Sequence, residues 1–117
     1  MLEQKLIDAL HTVLPKGQVF ADVARAQTIA PWAVYQQIGG KSPTSLDQKL
    51  INKRNGVFQV TVWAATRPDA VAKALLIEQA IMNSTLQVVP QGSMRAIYED
   101  DTKLYGAMQD FDIWDDR

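Results

Sequence analysis

Gly56-Val57-Phe58-Gln59-Val60-Thr61-Val62-Trp63-Ala64-Ala65-Thr66, followed by Arg67-Pro68-Asp69-Ala70, decides how this chain folds. Phe58, Val60, Val62 and Ala64 alternate with Gln59, Thr61 and Trp63, the period-2 pattern of a strand with one buried face. At Thr66-Arg67-Pro68 the period changes. Proline is tolerated in the first turn of a helix, where its missing N–H has no intrahelical partner anyway, and Thr66 is a candidate N-cap. The sequence therefore predicts a strand over about 57–65 that feeds directly into a helix from about Pro68 to Met82. Val71, Ala74, Leu75, Ile77 and Ile81 are expected to face the core, with Lys73 outward.

Upstream, Leu2, Leu6, Ala9, Leu10 and Val13 recur at i, i+4, i+7, i+8 and i+11, one face of a helix that Pro15-Lys16-Gly17 stops. Gln18 to Ala21 reads as a short strand. Ala21 to Ala30 is open between loop and helical turn. Trp32 to Ile38 reads as a second strand, with Val34 and Ile38 on one face and Ala33 and Tyr35 on the other. Gly39 to Asn55 has the composition of a long mobile loop, and loops of this length inside small domains are usually functional or disordered. Downstream, Leu86 to Pro90 is a short strand, and Met94–Glu99 and Leu104–Trp114 form an antiparallel pair around the polar tip Asp100-Asp101-Thr102-Lys103. Ala107, Gln109, Phe111 and Ile113 alternate with Met108, Asp110, Asp112 and Trp114. The expected fold is one α+β domain over 1–117. Its sheet is mainly antiparallel, of four to five strands, with two helices packed on one face and the order α-β-β-β-α-β-β(-β).

Bulk properties agree with a single folded domain. The 117 residues are 47% hydrophobic and 21% charged, with a formal charge of −1. That balance argues against wholesale disorder and gives the molecule no overall field for nucleic acid or an anionic membrane. The absence of cysteine excludes disulfides, thiolate zinc sites and cysteine nucleophiles. Met1-Leu2-Glu3-Gln4-Lys5 lacks the apolar core of a signal peptide, and no apolar stretch approaches the ~20 residues of a membrane span. A cytoplasmic soluble protein is expected.

Reactive chemistry finds little support. His11 is the only histidine and reads as structural, with no second imidazole to share a metal. Glu99, Asp100, Asp101, Asp110, Asp112, Asp115 and Asp116 have no metal-ligand spacing, and the first three suit a solvated turn. Gly39-Gly40-Lys41-Ser42 lacks the spacing of a phosphate-binding loop. No catalytic, cofactor-binding or metal-binding residue is assigned. What remains is surface. Lys41, Lys49, Lys53 and Arg54 form a thin basic patch suited to phosphates or to an acidic protein. Trp32, Tyr35, Trp63, Phe111 and Trp114 are candidates for a stacking surface. Trp63 and Trp114 fall on strand faces opposite the expected core, so they mark either an association surface or a second small core under the long loop.

Pro31-Trp32-Ala33-Val34-Tyr35-Gln36-Gln37-Ile38-Gly39-Gly40, Phe58-Gln59-Val60-Thr61-Val62-Trp63-Ala64, the alanine-rich helix and Met108-Gln109-Asp110-Phe111-Asp112-Ile113-Trp114 together resemble the tail-completion proteins of long-tailed bacteriophages, a group similar to the tail terminators of lambda-like phages. The resemblance runs through nearly the whole chain in order and departs at Ala24-Arg25-Ala26-Gln27, where a further proline is expected. It implies a non-enzymatic subunit without cofactor. Such subunits close into a ring, typically hexameric, that caps the tail tube and joins tail to head. The implied partners are other copies of the chain, the tail-tube protein and a head-connector protein. No membrane is implied, and no specific nucleic acid beyond the DNA passing through the ring. The implied location is the bacterial host cytoplasm during assembly and then the head–tail junction of the virion. The family supplies no motif for assembly residues. Lys41, Lys49, Lys53, Arg54, Trp63 and Trp114 are therefore expected contacts on the reading of the residues, and Glu99-Asp100-Asp101 an acidic element of the lumen or rim. The competing expectation is a small nucleic-acid- or protein-binding module that uses the basic loop 41–54. It predicts a salt-dependent DNA shift that Lys49→Glu/Lys53→Glu/Arg54→Glu abolishes.

Overall fold

Two long strands paired along their whole length organise the molecule. The structure, a computed structural model, describes residues 1–117. Its elements are α1 (Leu2–His11), β1 (Val19–Ala21), β2 (Trp32–Gly39), β3 (Lys53–Ala64), α2 (Arg67–Met82), β4 (Gln87–Pro90), β5 (Arg95–Glu99) and β6 (Leu104–Asp116). β3 and β6 pair antiparallel from Lys53↔Asp116 at one end to Ala64↔Tyr105 at the other. β2 pairs antiparallel with the other edge of β3, from Trp32↔Trp63 to Gly39↔Val57.

The expected α+β order is the order found, with both helices on one face of the sheet. The sheet has six strands instead of four or five, and it is mixed, because β1 runs parallel to β2. The count rises because β6 is long enough for two partners placed end to end: β5 pairs with Leu104–Met108, and β4 with Phe111–Trp114. The segment read as a loop over 39–55 is shorter. Gly39 belongs to β2, and Lys53 to Asn55 belong to β3.

The core lies between the helices and one sheet face. Phe58, Val60 and Val62 of β3 and Ala107, Phe111 and Ile113 of β6 meet Leu2, Leu6, Ala9 and Leu10 of α1 and Ala74, Ile77 and Ile81 of α2. The alternation read from β3 and β6 therefore has the expected phase. Thr66 caps α2, accepting a hydrogen bond from the backbone N–H of Asp69 at 3.3 Å. The expected stripe of α2 needs correction. Its buried positions are Ala70, Ala74, Ile77 and Ile81, while Leu75 is 52% exposed and Val71 only half-buried. Leu75 lies about 100° round the helix from Ala74, and the phase set by the Thr66 cap turns it away from the sheet.

Gln109 is the polar exception on the core face. Its side-chain amide donates to Glu78 Oε2 at 2.5 Å and to Gly92 O at 2.9 Å, so its burial leaves no orphaned donor. The molecule measures 52 × 26 × 24 Å.

Candidate assembly surfaces

The residues singled out from the sequence fall in three places: an arm at one end of the β3–β6 ribbon, the open face of the sheet, and a tip at the other end.

The arm is the connection from β2 to β3. Thr44 bridges Leu50, the Ser45 N–H donates to Lys49 O at 2.7 Å, and the Gln48 N–H donates to Ser45 O at 2.9 Å. Gln48, with φ 65°, takes the left-handed conformation at the turn. The root is pinned. The Lys41 N–H donates to Asn55 Oδ1 at 2.8 Å, and the Asn55 amide donates to Asp112 Oδ1 and to Ile113 O. Gly40 has φ 140°, and a Cβ there would sit 2.8 Å from Asn55 O, so only glycine fits. Beyond this root the arm presents Leu46 fully exposed at its tip, with Leu50 and Ile51 exposed behind it. The sequence reading attended to the cations of this segment and missed its apolar residues. Ser45-Leu46-Asp47-Gln48-Lys49-Leu50-Ile51 carried the signal, since three large aliphatic residues in a polar turn have no reason to be solvated.

The four expected basic contacts divide in two. Arg54 faces the helices and binds Glu3 with both guanidinium nitrogens, Nη2 at 2.7 Å from Oε2, and it also reaches Gln37 Oε1 at 2.9 Å. The guanidinium holds the Glu3 carboxyl below its ordinary range and is itself raised in return. Beside it, Lys5 pairs with Asp115 at 2.9 Å and lowers that carboxyl too. Lys53 pairs with Asp116 at 2.6 Å, and this partner raises its pKa. Arg54 and Lys53 are thus engaged within their own chain. Lys41 makes no ion pair, and Lys49 makes only a loose one with Asp47 at 3.7 Å.

The aromatic residues divide likewise. Phe111 is buried in the helix-side core and Tyr35 packs against it, so neither belongs to an outer stacking surface. Trp32 and Trp63, cross-strand partners on the face that no helix covers, stack with ring centres 5.9 Å apart, and Phe20 meets Trp32 edge-on at 6.4 Å. Trp63 lies over Gly106, where an added Cβ would come within 2.9 Å of the indole and 2.6 Å of Ile97 Cγ1. Trp114 is half-buried on the same face, near the other end of the ribbon. The two expected tryptophan contacts therefore lie apart on this face, Trp63 toward the tip and Trp114 opposite Asn55 at the root of the arm.

At the far end, β5 and β6 turn through Asp100–Lys103. Glu99, Asp100 and Asp101 are exposed there, with Lys103 (φ 56°) 3.9 Å from Asp100. Arg67 fixes the base of this hairpin. Its guanidinium stacks 5.2 Å over the Tyr105 ring and donates to Gly106 O at 2.7 Å and Ile97 O at 2.6 Å. Between the hairpin and the 22–31 connection lies a groove of about 480 Å³ that includes Val23, Ala24, Ala26, Trp32, Leu104 and Glu99 in its lining.

No group of three or more His, Cys, Asp or Glu side chains converges to hold a metal ion, and no helix is long and apolar enough to cross a membrane. His11 Nδ1 lies 3.1 Å from Leu14 O, a local contact at the end of α1. Residues 5–116 match the family model described as tail completion protein gp17. The chain belongs to the gp17 tail-completion family. No curated protein matches it significantly. As a member of a phage tail-completion family, it is a structural protein of tail morphogenesis.

Proposed function

We propose that this chain is the ring-forming subunit that caps the tail tube of a phage or prophage particle and joins the tail to the head, acting without catalysis. The observation that carries the reading is membership of the tail-completion family across 5–116. The distribution of surface features is consistent with it. An apolar arm, an open aromatic sheet face and an acidic tip offer several separate contact areas on one small subunit, as a ring that must also meet a tube and a head connector requires. Six copies closing a ring, assembled in the host cytoplasm and then retained at the head–tail junction, complete the proposal. Double-stranded DNA passes such a lumen freely only if few cations line it. The net charge of −1 is compatible with that passage.

The alternative of a nucleic-acid-binding module on residues 41–54 loses ground, because Lys53 and Arg54 already serve carboxylates of their own chain. Tail tubes grown from tail-tube protein with and without this protein, viewed by negative-stain microscopy, test the proposal. Rings at one tube end and a truncated length distribution are expected. Tubes that grow to the same lengths with bare ends would overturn it.

A further inference from the structure

The arm and the groove complement each other and cannot meet within one molecule. The arm enters β3 at Lys53, whereas the groove lies beside the end of the ribbon where Ala64 pairs with Tyr105 and Trp32 with Trp63. Twelve paired residues separate the two ends, about 40 Å at roughly 3.3 Å per residue. The turn over 43–51 folds back on itself through the Thr44–Leu50 bridge and the Ile51 N–H to Pro43 O bond at 3.2 Å. It reaches at most about half that distance.

The surfaces are complementary in character: one is an exposed apolar projection and the other a recess with apolar lining. The arm offers an aliphatic knob, Leu46, backed by Leu50 and Ile51. The groove is open, mostly apolar and larger than one leucine side chain. Beside the knob Lys49 lies 3.7 Å from Asp47, and Lys41, which makes no ion pair, stands at the root of the arm. The groove's lining sets Glu99 against Arg25, and the exposed turn beside it adds Asp100 and Asp101 against Lys103.

We infer that the arm of one copy seats Leu46 in the groove of the next, with Lys41 and Lys49 set against Glu99 and Asp101. The inference rests on the proposed ring and names the contact that would close it. Arm and groove are different surfaces, so the contact is head-to-tail. Repeated from copy to copy, it closes into a ring when the rotation per subunit allows.

The lack of native cysteine makes crosslinking clean. Leu46→Cys with Ala26→Cys in one chain, oxidised in the presence of tail tubes, is expected to give a ladder of disulfide-linked multimers on a non-reducing gel. Each single variant is expected to stay monomeric, and an equal mixture of the two singles to stop at dimers. Dimers from Leu46→Cys alone would mean that arm meets arm and would overturn the inference. So would an unlinked double variant on tubes that are visibly capped, a result that leaves the ring standing on some other contact. An unlinked variant on uncapped tubes, with wild-type protein also failing to cap, would sink both readings. Lys49→Glu gives a readout free of cysteine. It is expected to weaken self-association measured by sedimentation about tenfold, with recovery on adding Asp101→Lys. Failure of that recovery, with both variants folded by circular dichroism, counts against the pairing.

Discussion

At the scale of single residues, the charges nearest the helices hold the end of the ribbon to α1. Arg54 on β3 and Asp115 on β6 are direct cross-strand neighbours, and each takes its partner from α1, Glu3 and Lys5 respectively. Arg54→Ala removes a two-pronged charged contact and leaves a half-buried carboxylate behind. A loss of about 1–2 kcal/mol in urea unfolding is expected. The pH dependence has a definite sign. Glu3 and Asp115 have lowered values in the folded state, against ordinary values of 4.5 and 3.8. Their contribution is therefore complete above those ordinary values and is lost as pH falls through the lowered ones. Wild type should lose stability more steeply than Arg54→Ala over that acid range, so the gap between them narrows. A gap that widened in acid would contradict the assignment. Gly106 is the second sensitive position. Gly106→Ala drives a methyl against Ile97 and the Trp63 ring, an overpacking cost of about 1–3 kcal/mol. Denaturant melts combined with the change in tryptophan fluorescence relative to wild type check it, since Ile97 and the Trp63 indole must shift before the methyl fits.

At the scale of elements, legibility followed periodicity. β3 and β6 were readable because one face is apolar and the other mixed, so alternation alone fixed which of Phe58, Trp63, Phe111 and Trp114 face the helices. The Thr66–Pro68 helix start was readable because capping is local chemistry. The phase of α2 was not, because the helix is apolar almost all round: Leu75, Leu76 and Met82 point outward while Ala70, Ala74, Ile77 and Ile81 point in. Without a polar face, sequence offers no angle to read. The arm's apolar residues escaped notice for a related reason, since a turn has no period and only exposure in the folded state shows that Leu46 is unsupported. The division of the cations depended on register, as only the pairing of Lys53 with Asp116 across the ribbon brings that ion pair together. The phase of α2 is directly testable. Ile77→Ala should cost about 2–5 kcal/mol by leaving a cavity over β3 and β6. Leu75→Gln should change stability by no more than about 0.5 kcal/mol. Equal losses in thermal melts would mean that the helix sits in another phase.

At the scale of the whole molecule, the long β3–β6 ribbon sets the shape. The sixteen residues of α2 span about 24 Å, while the β3–β6 ribbon runs about 40 Å. Neither helix alone spans the ribbon: α1 holds its arm end through Glu3 and Lys5, and the arm and the tip project past the paired residues at either end. The Cα radius of gyration is 15.1 Å, against about 13 Å for a compact chain of this length. The projecting ends also differ in character, one carrying the exposed aliphatic Leu46, Leu50 and Ile51 and the other a groove beside the exposed Glu99-Asp100-Asp101 turn. Contacts between such ends combine apolar burial, which salt does not screen, with surface charge pairs, which it does. Small-angle scattering separates the two contributions. In dilute solution the radius should approach the single-copy value. It should rise with protein concentration at low salt and rise less in 1 M sodium chloride, where the screening length shrinks to about 3 Å. Leu46→Asp should hold the single-copy radius under every condition, because it destroys the apolar part of the contact while leaving the fold untouched. Growth that strengthened with salt, or that persisted in Leu46→Asp, would mean that copies associate through the open aromatic face or the bare side of α2 and not through their ends.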